Sequence, residues 1–278
     1  SQEIQRVAPC DSKERVTRIS PSTSGVEVEM CGIISFMSYR RTIFAPNEHY
    51  HLYNRGNNKQ RIFHDDNDYI RFLFYILYFQ SPIVFTDISE KVSRFKRTQD
   101  FGVQKEVLNA VISERMVALI AFCIMPNHFH LIVKEVEEEG ISRYMQRVLN
   151  GYSKYANKKY PERHIGHVFQ GPFKGVRQKT DEQFLYLSAY VYRNPKEISS
   201  WRQQEKRYPW SSFRDFLGEN RWGSLLLPAI IREQFKRVHD YERFVDTSSA
   251  KTEYTKLLLA NDILLEAGLE QESGEIIV

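Results

Sequence analysis

The chain has 278 residues, 42% hydrophobic and 27% charged, with 39 Lys and Arg against 35 Asp and Glu for a net charge of +4. This is a globular composition with enough apolar material for a core, and the length predicts one or two domains. No stretch reaches the ~18–20 apolar residues of a membrane-crossing helix, so no membrane partner is expected. The three widely spaced cysteines, Cys10, Cys31 and Cys123, exclude a disulfide framework and a four-cysteine zinc site, which fits a reducing, cytoplasmic setting.

Residues 1–41 are rich in Ser, Thr, Glu and Arg and show no sustained periodicity, which predicts a poorly ordered N-terminal arm. Tyr50-His51-Leu52-Tyr53 reads as a strand ended by Asn54-Arg55-Gly56-Asn57. Asp66 to Phe79 reads as an aromatic-rich helix, and Gln80 to about Ser113 as a long, charged, partly helical connection. Met116 to Met125 is a continuous apolar run of buried-strand type. Pro126-Asn127 makes a tight turn, and His128 to Val136 is the returning strand with Phe129, Leu131 and Val133 on one face. Gly140 to Tyr160 is a helix, His167 to Gln178 is strand-like, and Asp181 to Asn194 is a helix stopped by Pro195. Thr180, followed three residues later by Gln183, is a capping-box pattern that marks where this last helix starts.

The first six elements have the ferredoxin-like order: an α+β fold whose antiparallel sheet carries helices on one face. This domain is expected to span residues 42–220. Residues 221–278, with helical patterns at Ile230 to Val245 and Thr252 to Ala267, read as a C-terminal helical extension without a chemical motif.

Charge is unevenly distributed. Between Ile141 and Trp210 there are fourteen Lys and Arg against five acidic residues, a net +9 that leaves the rest of the chain at −5. A basic middle of this kind points to a polyanionic ligand. At ~100° per residue, Ile141, Tyr144, Met145, Val148, Leu149, Tyr152 and Tyr155 share one face of the Gly140–Tyr160 helix. Arg143, Arg147, Lys154 and Lys158 form a stripe on the other side, a natural track for phosphates.

The constellation that carries chemistry is Met125-Pro126-Asn127-His128-Phe129-His130. On a strand, i and i+2 side chains project together, so His128 and His130 share a face. Two neutral imidazoles in that relation can bind one divalent metal; a bare His-x-His also occurs as two unrelated histidines. On the later helix, Tyr190 and Asn194 lie one turn apart and can face a common point. Tyr186 lies one turn earlier on the same stripe.

The ordered set MPNHFHLIV, a Tyr-rich basic helix, HVFQGPFKG, AYVYRNPKEI and YPWSSF resembles the REP-associated tyrosine transposases, within the wider HUH single-tyrosine transposases that act on single-stranded DNA. EHYHLYNRGNNKQRIF also resembles that family's first strand, and the likeness covers roughly residues 42–220. It implies the HUH endonuclease fold, with His128 and His130 as the metal pair, Tyr190 as nucleophile and Asn194 near the third metal ligand; Tyr186 is the runner-up nucleophile. It also implies a metal-dependent endonuclease and strand transferase acting in DNA recombination and transposition at palindromic hairpins, through a 5′-phosphotyrosine with a free 3′-hydroxyl.

Chemistry agrees with these roles. A tyrosine phenol titrates near ~10, so its attack on an anionic phosphodiester needs nearby positive charge, and Mg²⁺ or Mn²⁺ suits mixed nitrogen and oxygen ligation better than a thiolate-type zinc site does. Arg143, Arg147, Lys154 and Lys158 are candidate phosphate contacts, with Lys174 and Arg177 closer to the cut. Tyr50 and Phe173 are candidates for base stacking, and Trp210 for core packing or stacking. The expected partner is single-stranded or hairpin DNA, with the protein a monomer or homodimer. The competing readings are a catalytically inactive hairpin-binding protein and another HUH enzyme such as a replication initiator.

Overall fold

Strand β1 (His49–Arg55) lies in the middle of a sheet because its polar and apolar residues alternate between two covered faces, Tyr50 and Leu52 on one and His51 on the other. A computed structural model describes residues 43–163 and 167–260. The expected N-terminal arm at 1–41 and the helical pattern beyond 260 lie outside the described residues. The chain runs from β1 through α1 (Asp66–Tyr78), α2 (Ile88–Thr98) and α3 (Lys105–Ser113) to β2 (Val117–Met125) and β3 (His128–Glu135), then α4 (Gly140–Lys159), β4 (Lys174–Gln178) and α5 (Asp181–Arg193). The sheet order is β2-β3-β1-β4 with every neighbouring pair antiparallel. This is the split βαβ arrangement expected of a ferredoxin-like fold. The long connection from Gln80 to Ser113 holds the two extra helices, α2 and α3.

Two cores sandwich the sheet. On one face Tyr50, Leu52, Phe129, Leu131 and Val133 pack with α1 and α4, the two helices of the ferredoxin-like unit, through Phe72, Tyr144 and Tyr152. On the other face, Ile132, Cys123 and Met125 pack with α5 and the C-terminal helices α6 (Phe213–Leu217), α7 (Ala229–Arg232), α8 (Val238–Thr247) and α9 (Ala250–Ala260). Residues after 220 thus belong to both cores: Trp222 and Leu226 enter the first, Tyr241 and Tyr254 the second.

Strand β2 is buried along its whole length although it is an edge strand. A register shift between Leu119 and Ala121 turns Phe122 and Ile124 onto the α1/α4 face and Cys123 and Met125 onto the other. Its free edge is closed by the segment containing Tyr208 to Ser212. Ile124 N–H donates to the Trp210 carbonyl at 2.9 Å and Ser212 N–H to the Phe122 carbonyl at 3.0 Å. The sequence YPWSSF therefore caps an edge that would otherwise expose unpaired backbone groups.

Helix α5 begins where the capping pattern predicts. The Gln183 N–H donates to Thr180 Oγ1 at 3.1 Å. The reciprocal bond is displaced by one residue, with Gln183 Oε1 accepting from the Lys179 N–H at 2.7 Å. This fixes the rotation of α5 over the sheet and so selects the side chains that meet the histidine face. After α5 the chain tightens into a 3₁₀ turn, Asn194–Glu197, with Pro195 inside it.

Candidate active site

The site face is built by the pleat. His128 and His130 project from β3, and His51 projects from β1 as the diagonal neighbour of His130, which is itself paired with Tyr53. Helix α5 lies across them. The Tyr190 ring stands edge-on to His130 at 5.3 Å between centroids and to His51 at 6.2 Å. One turn later, Asn194 Oδ1 lies 3.3 Å from His128 Nε2. His128, His130, Tyr190 and Asn194 thus come together from two elements.

The hydrogen bonds assign the imidazole faces. Asn127 donates its Nδ2 to the Lys59 carbonyl at 3.3 Å, which leaves its Oδ1 toward His128 Nδ1 at 2.7 Å. Asn194 donates its Nδ2 to the Tyr190 carbonyl at 2.9 Å, which leaves its Oδ1 toward His128 Nε2. Both nitrogens of His128 therefore face an amide oxygen, yet a neutral imidazole has a single N–H. The 2.7 Å contact is the hydrogen bond, so Nε2 is a bare lone pair opposite a second acceptor. His130 Nε2 is buried and has no hydrogen bond among the described residues. The bare nitrogen of His128, the unpartnered nitrogen of His130 and an amide oxygen form a set that suits a divalent cation when His130 carries its proton on Nδ1.

Electrostatics keep these rings neutral. Burial pushes His128 down to about 4, with Arg55 adding to the effect and Asn194 opposing it. Burial, then the neighbouring His128 and His51, hold His130 well below the usual histidine range, again against Asn194. Burial alone takes His51 to about 3. A neutral imidazole keeps the lone pair that metal binding requires. Among the described residues, no cluster of three or more His, Cys, Asp or Glu is arranged as a metal site, so the candidate set is the mixed one, His128, His130 and Asn194.

A cavity of about 480 Å³ opens beside Tyr190. Arg193, Asn194 and Lys196 line one side, and Ser248 and Ser249 of the α8–α9 connection with Lys251 of α9 line the other. The Arg193 guanidinium donates to the Ser248 carbonyl and ties the two walls together. Tyr254 of α9 stacks on Tyr190, centroids 5.8 Å apart and planes 23° apart.

The other expected residues are distributed more widely. Tyr186 packs on Phe244 of α8, with ring centroids 5.4 Å apart, and faces away from the histidines. Lys174 lies on the site face, its ammonium 5.8 Å from the Tyr53 ring. Arg177, three residues on, falls on the opposite face of the pleat and pairs with Glu48 at 2.6 Å. Lys154 and Lys158 are exposed, and Arg143 pairs with Glu137 at 2.6 Å. Arg147 departs from the expected phosphate track. Its guanidinium turns in over the Phe79 ring and donates to the Ser81 and Ile83 carbonyls, because the loop after α1 presents those carbonyls to α4. Tyr50 and Phe173 are not available for base stacking, since both are buried in the first core. Trp210 packs against Tyr69 at 4.8 Å.

Sequence reasoning did not single out His51 or Tyr254. The signal for His51 was a second His-x-His, His49 and His51, on the strand that neighbours β3. Tyr254 carried no local signal.

Comparison with known proteins covers the strand and helix that carry the site. Residues 83–194 match the family profile described as "Transposase IS200 like", a segment that contains β2, β3, Tyr190 and Asn194. No curated protein matches the chain. Among solved structures, the chain is similar to a REP-associated tyrosine transposase bound to a REP hairpin, at 14% identity and a TM-score of 0.41, over 66% of this chain and 87% of that one. Through residues 83–194, the chain is similar to the IS200-like transposases.

Proposed function

We propose that the protein is a metal-dependent single-strand DNA endonuclease and strand transferase, acting at palindromic hairpin DNA through a covalent 5′-phosphotyrosine. The observation that carries this reading is the convergence of Tyr190 with two neutral imidazoles and the Asn194 oxygen, beside a cavity lined by Arg193, Lys196 and Lys251. The hairpin substrate follows from the ordered sequence motifs.

His128, His130 and Asn194 would hold Mg²⁺ or Mn²⁺, which supplies polarisation of the scissile phosphate and offsets charge in the transition state. Arg193, Lys196 and Lys251 attract the DNA backbone to the cavity. The Tyr190 phenol oxygen attacks phosphorus, its proton is lost, and the bond to the 3′ oxygen breaks. That oxygen leaves with a proton as a 3′-hydroxyl, and the 5′ phosphate stays on Tyr190. Attack by a 3′-hydroxyl on this ester reverses the step, frees the tyrosine and joins the strands.

A denaturing gel of a labelled hairpin oligonucleotide pool, with Mn²⁺ or EDTA, tests this directly. The expected result is a metal-dependent cut that leaves a protease-sensitive protein adduct on the 5′ end. Tyr190→Phe abolishes the cut and leaves hairpin affinity nearly intact. Tight, salt-sensitive binding of a cognate hairpin without any cut would favour the inactive binding protein instead.

A further inference from the structure

We propose that His51 is the positioning residue of the histidine pair: its Nε2 accepts the Nδ1–H of His130 and thereby keeps His130 Nε2 unprotonated for a metal. This rests on the metal-dependent reading above. His51 Nε2 lies 2.8 Å from His130 Nδ1, and both rings are buried. Two neutral imidazoles joined nitrogen to nitrogen share one hydrogen, so the bond has two forms. In the first, His51 donates, and the N–H of His130 moves to Nε2, which is buried and makes no hydrogen bond among the described residues. In the second, His130 donates through Nδ1 and its Nε2 is a bare lone pair.

The unpartnered Nε2 of His130 favours the second form, and the far side of His51 accommodates it. When His51 accepts at Nε2, its own N–H sits on Nδ1, which faces the Tyr254 hydroxyl at 3.4 Å. That hydroxyl also takes a hydrogen bond from Gln178 Nε2 at 3.0 Å, and the second Gln178 N–H goes to the Val176 carbonyl at 3.0 Å. Donors from His51 and Gln178 match the two lone pairs of the hydroxyl oxygen. Both His128 and His130 then carry the proton on Nδ1 and present Nε2. Histidine ligands generally need such a partner on the far nitrogen to set tautomer and ring orientation. Here it comes from β1, and α9 and β4 hold it through Tyr254 and Gln178.

Two readouts test this role, and neither needs DNA cleavage. The first is the long-range ¹H–¹⁵N spectrum of histidine-labelled, metal-free protein, where His130 should show the Nδ1–H form. The second is Mn²⁺ affinity by calorimetry. His51→Leu, which removes the acceptor, should weaken Mn²⁺ binding by about 10- to 100-fold, whereas His51→Gln, whose amide oxygen reaches the place of Nε2, should stay within about threefold of the parent. His51→Gln also serves as the measured variant if His51→Leu fails to fold. An Nε2–H form of His130 in the metal-free parent would overturn the proposal. So would parental Mn²⁺ affinity in a folded His51→Leu. A parent that shows the expected tautomer and binds no Mn²⁺ would instead overturn the metal reading, and with it the role of His51.

Discussion

His128 Nε2 and Asn194 Oδ1 face each other at 3.3 Å, joining β3 to the end of α5. Both are acceptors, because the N–H of His128 is already given to Asn127. Such an arrangement is relieved by a cation between them. Replacing Asn194 with Asp adds a negative charge to the same position and should tighten Mn²⁺ binding. Asn194→Leu removes the oxygen and should weaken it by about tenfold or more, in line with the usual loss on removing a metal-site partner. Calorimetric titration of the three proteins checks the order Asp, Asn, Leu.

Acid should unfold the metal-free protein in a defined window. An unfolded histidine titrates near 6.5, whereas His128 is pushed down to about 4 and His51 to about 3 by burial. As pH falls, the unfolded state takes protons first, so stability is full above about 6.5 and is lost as pH drops toward those lower values. Each such histidine contributes a slope of about 1.4 kcal/mol per pH unit inside the window. The urea midpoint should therefore fall steeply from pH 6.5 to 4, and His51→Gln should flatten the fall. A midpoint that does not change over that range would contradict the neutral, buried cluster.

Arg147 and Lys158 lie on the same helix and should separate stability from DNA binding. Arg147 donates to two backbone carbonyls and covers the Phe79 ring. Arg147→Ala should cost about 1–2 kcal/mol in urea unfolding, because charged hydrogen bonds and stem packing are lost together. Lys158 is exposed. Lys158→Ala should leave the midpoint unchanged and lower the salt slope of hairpin binding by about 1. Equal effects of the two on both measurements would show that the ridge acts as one surface.

Gly56 closes β1 against the turn that carries Asn127. Its N–H donates to the Asn127 carbonyl at 2.7 Å. A Cβ there would sit 2.1 Å from the Gln60 carbonyl oxygen, a backbone atom that cannot step aside without moving the loop. Gly56→Ala should cost about 1–3 kcal/mol. It should also weaken Mn²⁺ binding, because Asn127 sets the tautomer of His128. Thermal unfolding and calorimetry on one preparation measure both effects.

Much of the site was legible from local rules. The two-residue period of a strand places His128 and His130 on one face, and the helical repeat places Tyr190 and Asn194 one turn apart. The capping pattern at Thr180 and Gln183 marked the start of α5 for the same reason: each depends on residues a few positions apart. Tyr186 and Tyr190 satisfy the same helical spacing, and only the packing of α5 between the sheet and α8 turned Tyr190 to the histidines and Tyr186 to Phe244. The register of β1 against β3 brought His51 to His130, and the fold of α9 brought Tyr254 to both His51 and Tyr190. Arg147 was read as a surface cation because its helical phase is right, but the Ser81 and Ile83 carbonyls that capture it belong to a loop more than sixty residues away. Spacing along the chain determines which side chains can share a face; which faces meet is decided by strand register and core packing, since those depend on contacts between residues far apart in sequence.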